Sequence, residues 1–154
     1  MRTKYLAEAS VIAAIYAVLT IVLAPISYGA VQVRISEALT VLPFFTPAAV
    51  PGLFVGCIAA NLLSPYGLPD LIFGSLATLI GAAGSYMLRK KPALVPLPPV
   101  ISNGIIVGVM LYYVYEVPVP LFVQMLYVAA GEMIACYAVG YPLMKYLNKY
   151  KGIF

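Results

Sequence analysis

The sequence predicts an all-α integral membrane protein, on the strength of its composition, its hydropathy and its long apolar runs. Of the 154 residues, 64% are hydrophobic and 9% are charged, and the mean hydropathy is +1.01. Soluble domains of this size carry about 25% charged residues. So few charged residues cannot give a globular protein a hydrated surface. Most of the surface must therefore face lipid.

Four apolar runs have the length of membrane-spanning helices, which need about 20 residues each. They cover Leu6–Ala24, Leu71–Leu88, Ile101–Tyr115 and Leu121–Lys145. The region Glu37–Leu63 is also apolar, but three prolines interrupt it. It predicts either two short helices that cross the membrane or a hairpin that dips in and returns, with Ser36 capping its start.

Clusters of basic residues fall in three places, before the first span, at Arg89–Lys91 and at the carboxyl end, and Arg34 is the one basic residue outside them. If Glu37–Leu63 crosses twice, all three clusters lie on one side, which the positive-inside rule assigns to the cytoplasm. The prediction is a bundle of six transmembrane helices, the second and third short and proline-interrupted, with both termini cytoplasmic. Residues 1–154 then form one transmembrane domain in the lipid bilayer.

Several function classes are excluded by what the sequence lacks. It has no histidine and no GxxxxGK[ST] loop, so His-based triads, His-ligated metals and P-loop ATP hydrolysis are absent. Cys57 and Cys136 lie in apolar runs and are interpreted as small core residues. We predict no enzyme activity, no metal, no cofactor and no nucleic-acid partner.

A few polar residues at membrane depth or at its outer edge are the candidates for function. An ionisable side chain at the centre of a membrane helix costs about 2.5–3.5 kcal/mol, so each needs a reason to be there. The candidates are Arg34, Glu37, Asn61, Asp70, Asn103 and Glu132.

Each candidate has a structural and a functional interpretation. Arg34 and Glu37, three residues apart, either form a local ion pair or order a loop that covers a ligand. Asn61 and Asp70 flank an outer turn and are either helix caps or pocket walls. Glu132 lies about twelve residues into the last predicted helix, near the bilayer midplane. We expect it to bind a ligand, or alternatively to hydrogen-bond Asn103 on the preceding helix.

The outer half of the predicted bundle is acidic, so a pocket there favours cations or donor-rich ligands. A guanine-like base fits, because its N1–H and exocyclic amine can both donate to one carboxylate. The first helix carries a further pattern, Ala9, Ala13 and Ala17 at intervals of four. Such small-residue stripes let membrane helices approach closely, either within the bundle or against a partner subunit.

Four segments of the sequence resemble the QueT transporter family over nearly the whole chain. They are VRISEALTVLPFFTPAAVPGLFVGCIAANLLSPYG (Val33–Gly67), DLIFGSLATLIGA (Asp70–Ala82), LPPVISNGIIVG (Leu97–Gly108) and the pair Gly131–Glu132. The first of these is specific in its order of residues rather than merely apolar.

The resemblance implies a substrate-binding (S) component of an energy-coupling factor (ECF) importer in a prokaryotic plasma membrane. It implies six helices, an outward-facing site and queuosine precursors, which are 7-deazaguanine bases, as substrates. A separate transmembrane coupling protein with two cytoplasmic ATPases would use the ATP. In S components a small-residue face on the first helix contacts the coupling protein, and Ala9, Ala13 and Ala17 match that pattern.

The combined hypothesis assigns a role to each candidate. Glu132 is expected to bind the guanine edge, with Asn103 and Asn61 as further contacts. The loops Tyr28–Glu37 and Ser64–Asp70 are expected to close over the base, ordered by Arg34 and Glu37. The alternatives are a stand-alone carrier coupled to protons through Glu132 and a structural membrane subunit that binds no ligand.

Overall fold

The computed structural model describes residues 1–28 and 33–150, and in these ranges it contains helices and turns but no strand. Helix α1 spans Arg2–Val22 and is followed by the one-turn helix α2, Ala24–Ser27. A 3₁₀ helix covers Ile35–Phe44. The longer helices that follow are α3 (Ala49–Asn61), α4 (Ser75–Met87), α5 (Leu97–Tyr115), α6 (Leu121–Met133) and α7 (Tyr141–Asn148).

Four helical segments are long and apolar enough to cross a membrane: Arg2–Val22, Asp70–Met87, Pro92–Tyr115 and Leu121–Asn148. They confirm the four predicted spans; the third begins nine residues earlier than predicted, and the other ends differ by at most four residues. The proline-interrupted region forms two shorter apolar helices, Ile35–Phe44 and Ala49–Asn61, in place of one long helix. The chain is therefore an all-helical membrane protein.

Two of the spans are continued by a π-helical turn, at Asp70–Gly74 before α4 and at Ile134–Gly140 between α6 and α7. Single π turns inside helices are frequent at functional sites, because they shift the register of the side chains that follow. The first π turn begins with a buried carboxylate, Asp70, and the second follows shortly after another, Glu132. Both irregularities therefore lie next to ionisable groups in the interior.

The predicted cap at Ser36 is wrong. The 3₁₀ helix begins at Ile35 after Arg34, and no side-chain hydrogen bond caps it. The Ser36 hydroxyl lies instead 2.5 Å from Thr20 Oγ1 on α1, and Thr20 also donates to the carbonyl of Tyr16 at 2.9 Å. Ser36 thus joins the 3₁₀ helix to α1, which places the residues after it inside the bundle.

Several glycines allow neighbouring helices to pack closely, and we call such a helix–helix contact a seam. A Cβ added at Gly52 or Gly56 of α3 would lie 2.7 Å and 2.8 Å from the carbonyl oxygens of Ala9 and Ala13 on α1. The predicted alanine stripe on α1 therefore packs within the bundle at these two positions. All three of its alanines remain partly exposed, Ala17 included, so their predicted role in partner docking stays a proposal.

Contacts between distant segments show which parts of the chain share an end of the bundle. Thr46 donates to Glu8 Oε2 at 2.7 Å, and Ser85 donates to the carbonyl of Val95 at 2.7 Å. Val95 packs with Met144 of α7 in one apolar cluster. At the other end of the bundle, Tyr66 packs near the end of α5. The start of α1, the basic connector after α4 and helix α7 thus lie on the same side of the molecule.

Candidate substrate-binding site

A buried polar cluster occupies the interior between α1, the 3₁₀ helix, α3, α4 and α6. Its side chains are polar or ionisable, yet all of its residues are buried. We call this group the central polar cluster, and it comprises Tyr16, Arg34, Glu37, Cys57, Asn61, Asp70, Thr78, Glu132 and Cys136. Because buried polar groups are costly unless they are satisfied, a cluster of this size in a small membrane protein indicates a function.

Glu37 is the centre of the cluster. The 3₁₀ helix carries it inward, and its side chain is fully buried. The Tyr16 hydroxyl of α1 and the Thr78 hydroxyl of α4 both donate to Glu37 Oε1, the latter at 3.0 Å. The second oxygen, Oε2, has no hydrogen-bond partner among the described residues. One half of this carboxylate is thus held in place and the other half is available.

Arg34 pairs with Asp70 and not with Glu37, so the predicted local ion pair is wrong. Arg34 Nη2 lies 3.7 Å from Asp70 Oδ2, and the two side chains are 5% and 0% exposed. The pair joins the start of the 3₁₀ helix to the π turn before α4. Asn61 at the end of α3 supports it, since Asn61 Nδ2 donates to the backbone carbonyl of Asp70 at 3.0 Å.

Both cysteines are buried core residues as predicted, and Cys57 belongs to an apolar core cluster, but each sulfur also lies beside polar groups. Cys57 Sγ accepts from Asn61 Nδ2 at 3.3 Å and from Arg34 Nη1 at 3.6 Å. Cys136 Sγ lies 3.6 Å from the backbone carbonyl of Glu37 and 3.7 Å from Glu132 Oε2. Cys57 therefore contacts Arg34, and Cys136 lies between the Glu37 backbone and the Glu132 side chain.

Glu132 projects into the cluster from α6, whereas Asn103 makes a local bond. Glu132 is 3% exposed, and Cys136, one turn further along, is its hydrogen-bond partner. Asn103 is also buried, but its Nδ2 donates to the carbonyl of Pro99 within α5 at 3.0 Å. The alternative in which Asn103 donates to Glu132 is therefore not the arrangement found, and Asn103 stands apart from the contacts that join the other candidates.

The cluster is unbalanced in charge and in hydrogen bonding. It contains three carboxyl groups, on Glu37, Asp70 and Glu132, but one guanidinium, on Arg34. Five of its atoms are buried without a hydrogen-bond partner among the described residues: Arg34 Nη2, Glu37 Oε2, Asn61 Oδ1 and both Asp70 carboxylate oxygens. Such an atom costs about 1–3 kcal/mol when left without a hydrogen bond, although the ion pair between Arg34 Nη2 and Asp70 Oδ2 offsets part of this cost for those two atoms. Four of the five are acceptors, so a ligand that satisfied them would be rich in N–H donors.

Aromatic residues lie over the Arg34 and Asp70 side of the cluster. The Arg34 guanidinium stacks over the Tyr28 ring at 5.4 Å, and the Tyr28 hydroxyl donates to the carbonyl of Ala60 at 2.7 Å. Burial raises the pKa of the Tyr28 phenol, although the Arg34 charge opposes this rise. The Tyr115 hydroxyl donates to the carbonyl of Tyr66 in the Ser64–Asp70 turn.

Two parts of the sequence-based hypothesis concern these outer loops. The predicted cover Tyr28–Glu37 includes residues 29–32, which lie outside the described residues. The turn Ser64–Asp70 is described, and its last residue belongs to the cluster, so it remains a candidate for a covering loop.

Sequence reasoning missed Tyr16, Thr78 and both cysteines. The available signal was a hydroxyl in the middle of an otherwise apolar span: Tyr16 lies fifteen positions into a 21-residue helix, and Thr78 lies within the Asp70–Met87 span. A tyrosine at the end of a membrane helix is typical of an interfacial aromatic belt, but Tyr16 does not lie at an end. The cysteines offered no such signal, since a free cysteine in an apolar run usually behaves as a small buried hydrophobic residue.

Comparison with known proteins gives the family. Residues 6–149 match the family described as the QueT transporter. The queuosine precursor transporter QueT of Lactococcus lactis subsp. cremoris (strain MG1363) is 36% identical over 81 residues, which are 51% of this chain and 47% of that relative. No solved structure matches the chain. Both matches are to transporters, which confirms the prediction that this protein is not an enzyme. The family match covers nearly the whole chain, and the protein therefore belongs to the QueT transporter family.

Proposed function

We propose that this protein is the substrate-binding component of an ECF importer for a queuosine precursor, and that the central polar cluster is its binding site. The observation that carries this proposal is the set of buried, unpaired acceptor oxygens on Glu37, Asn61 and Asp70. The queuosine precursor named for the relative in Lactococcus lactis has a matching set of donors.

The chemistry of a 7-deazaguanine base complements the cluster atom by atom. Its N1–H, exocyclic amine and ring N–H are donors, and its O6 is an acceptor. A carboxylate such as Glu132 accepts the N1–H and the exocyclic amine together in bidentate fashion, and Glu37 Oε2 can accept one further N–H. Arg34 Nη2, which lies in the ion pair with Asp70, is the one donor of the cluster without a hydrogen-bond acceptor and suits O6. A purely apolar ligand would leave all five atoms unsatisfied.

The excess of carboxyl groups favours a cationic form of the precursor. Three carboxyl groups face one guanidinium in the cluster, and a buried net negative charge is costly unless a proton or a cation neutralises it. A 7-aminomethyl substituent is a cation at neutral pH, whereas a 7-cyano substituent is neutral. We therefore expect the aminomethyl base to bind more tightly than the cyano base.

Access to the site requires movement, because the residues of the cluster are almost completely buried. The Ser64–Asp70 turn is the described segment that we propose to open. It is held by the bond from Tyr115 to the carbonyl of Tyr66 and by the contact of Asn61 with Asp70. Opening would expose Asp70 while leaving Glu37 and Glu132 on their helices.

Transport of the bound base would need a partner, and α1 is the best-placed helix to meet it. Only 17% of its most apolar stretch is buried inside the protein, against 61% for the corresponding stretch of Pro92–Tyr115. We propose that the exposed side of α1, with the partly exposed alanines at positions 9, 13 and 17, contacts the transmembrane coupling protein. Two cytoplasmic ATPases would supply the energy, with both termini of this six-helix subunit in the cytoplasm of a prokaryotic cell.

Calorimetric titration of the purified protein in detergent with 7-aminomethyl-7-deazaguanine tests the site. Glu37→Gln and Glu132→Gln should each weaken binding about 10- to 100-fold, since a charge-assisted hydrogen bond contributes about 1.5–3 kcal/mol. Glu116→Gln is the matched control, because Glu116 is exposed at the end of α5 and outside the cluster. Unchanged binding in both cluster variants would refute the proposed site, and no binding by the wild type would favour a structural subunit.

Uptake into vesicles tests the coupling. With the coupling protein and ATPases present, we expect ATP-dependent uptake that stops when either is omitted. Uptake that persists without them and depends on a proton gradient would show instead a stand-alone carrier, with Glu132 as its proton-binding group. Ala17→Leu, at the stripe position that is not among the nearest neighbours of Gly52 or Gly56, should weaken assembly with the coupling protein while leaving titration of the base unchanged.

A further inference from the structure

The faces of α4 and α5 that point to lipid leave an open groove between them. The groove has two connected parts, of about 430 Å³ and 440 Å³, which share Ile105 and Ile106. Phe73, Ile80 and Leu88 line it on the α4 side, and Leu97 and Tyr113 line it on the α5 side. It is almost entirely apolar, and none of its lining residues belongs to the central polar cluster.

The dimensions of the groove match a lipid chain. From Phe73 to Leu88 the helix rises by about 22 Å at 1.5 Å per residue. The hydrocarbon core of a bilayer is about 30 Å thick, so each leaflet contributes about half of that. The part of the groove from Ile80 to Leu88 therefore accommodates one acyl chain of a single leaflet.

The groove ends at a cluster of positive charge. The residues that follow Leu88 are Arg89, Lys90 and Lys91. The Arg89 guanidinium is held in place, because it stacks on the Tyr86 ring at 4.0 Å and donates to the Tyr86 carbonyl at 2.9 Å. Lys90 and Lys91 are exposed. An ordered guanidinium flanked by two free ammonium groups complements a phosphodiester at the level of the headgroups.

We propose that this groove and its basic end form a binding site for one anionic glycerophospholipid. One acyl chain lies between α4 and α5 beside Ile80 and Ile101, and the phosphate contacts Arg89, Lys90 and Lys91. The zwitterionic lipid phosphatidylcholine fits the same groove, but its trimethylammonium group lies among like charges. The charge of the headgroup therefore decides which lipid occupies the site, independently of the substrate.

Native mass spectrometry of the full chain tests the proposal, after purification with an equimolar mixture of phosphatidylglycerol and phosphatidylcholine. We expect one phosphatidylglycerol to remain bound in preference to phosphatidylcholine. Lys90→Gln/Lys91→Gln should weaken its retention about 10- to 30-fold, at about 1 kcal/mol for each basic residue. The matched control, Lys145→Gln/Lys149→Gln, removes two lysines from α7 and its end on the same side of the molecule and should retain the lipid.

A second pair of variants tests the groove itself. Ile101 and Leu126 are both lipid-facing, with 50% and 51% of their surfaces exposed, but only Ile101 lines the groove. Ile101→Trp should reduce phosphatidylglycerol retention, and Leu126→Trp should not. Glycerol 3-phosphate should fail to displace the lipid, because it lacks the acyl chain. Equal loss in both lysine variants, equal retention in both tryptophan variants, or displacement by glycerol 3-phosphate would each overturn the proposal.

Discussion

The helix seams and the central polar cluster bring chain segments together in opposite ways. Along the α1–α3 seam, Gly52 and Gly56 let two backbones approach until no room remains for a Cβ. In the cluster, large polar side chains converge from five helical elements and leave five atoms unpaired. The seam has no space for a further group, whereas the cluster has atoms that still lack hydrogen-bond partners.

This difference separates the parts that hold the fold from the part that is available for a ligand. Membrane helices associate through close packing of small residues, since lipid supplies no hydrophobic drive between them. Seams of this kind tolerate little change in volume. The cluster instead retains polar groups that a ligand can satisfy, at a cost in stability that the seams must offset.

The largest effect is expected from removing the buried cation. Arg34→Ala leaves Asp70 without its partner in the interior, and loss of one member of a buried pair costs about 3–5 kcal/mol. Unfolding of the purified protein in mixed micelles should show this loss. The double variant Arg34→Ala/Asp70→Asn should recover part of it, because it removes the uncompensated charge. A double variant less stable than the single one would contradict the proposed pairing.

The seams are expected to be the next most sensitive region. In Gly56→Ala the new methyl group would lie 2.8 Å from the carbonyl oxygen of Ala13 and 2.9 Å from Tyr16 Cβ. Overpacking of this kind costs about 1–3 kcal/mol. Ala14→Leu, on the exposed face of α1, is the control and should leave the thermal midpoint nearly unchanged. Equal midpoints for the two variants would show that α1 and α3 do not pack this closely.

A single hydrogen bond inside the cluster should have a smaller effect on stability than on binding. Thr78→Val removes one of the two donors to Glu37 Oε1, while the Tyr16 hydroxyl still donates. We expect a loss near 1 kcal/mol in the free energy of unfolding, together with weaker binding of the base. Thr78→Ser restores the hydroxyl and should restore both properties. Weaker binding in the serine variant would indicate that Thr78 acts through its methyl group.

The smallest effect is expected from an ion pair outside both regions. Lys4 Nζ lies 3.8 Å from Glu8 Oε1, and the two side chains are 70% and 27% exposed. Pairs of this kind contribute less than about 0.5 kcal/mol, because solvent screens them. Lys4→Gln should therefore change the unfolding midpoint little, and the small change should vanish at high salt. A loss as large as that of Arg34→Ala would remove the distinction between the cluster and the rest of the molecule.

Several features could be predicted from the sequence because they depend on local composition. Hydropathy over some twenty residues located the four long helices, and prolines located the interrupted region between the first two of them. Because an ionisable side chain is costly in lipid, Glu37, Asp70 and Glu132 could be recognised from the sequence as candidate functional residues. These inferences require no knowledge of which helices are neighbours.

The partners of the candidate residues were decided by the tertiary structure. Arg34 is three positions from Glu37 but pairs with Asp70, thirty-six positions away, because the π turn before α4 lies against the 3₁₀ helix. Cys57 and Cys136 are core residues, as their sequence context indicates, but the packing of α3 and of the π turn after α6 also places both beside ionisable groups. Hydropathy reports how deep a residue lies, but helix packing determines which residues meet at that depth.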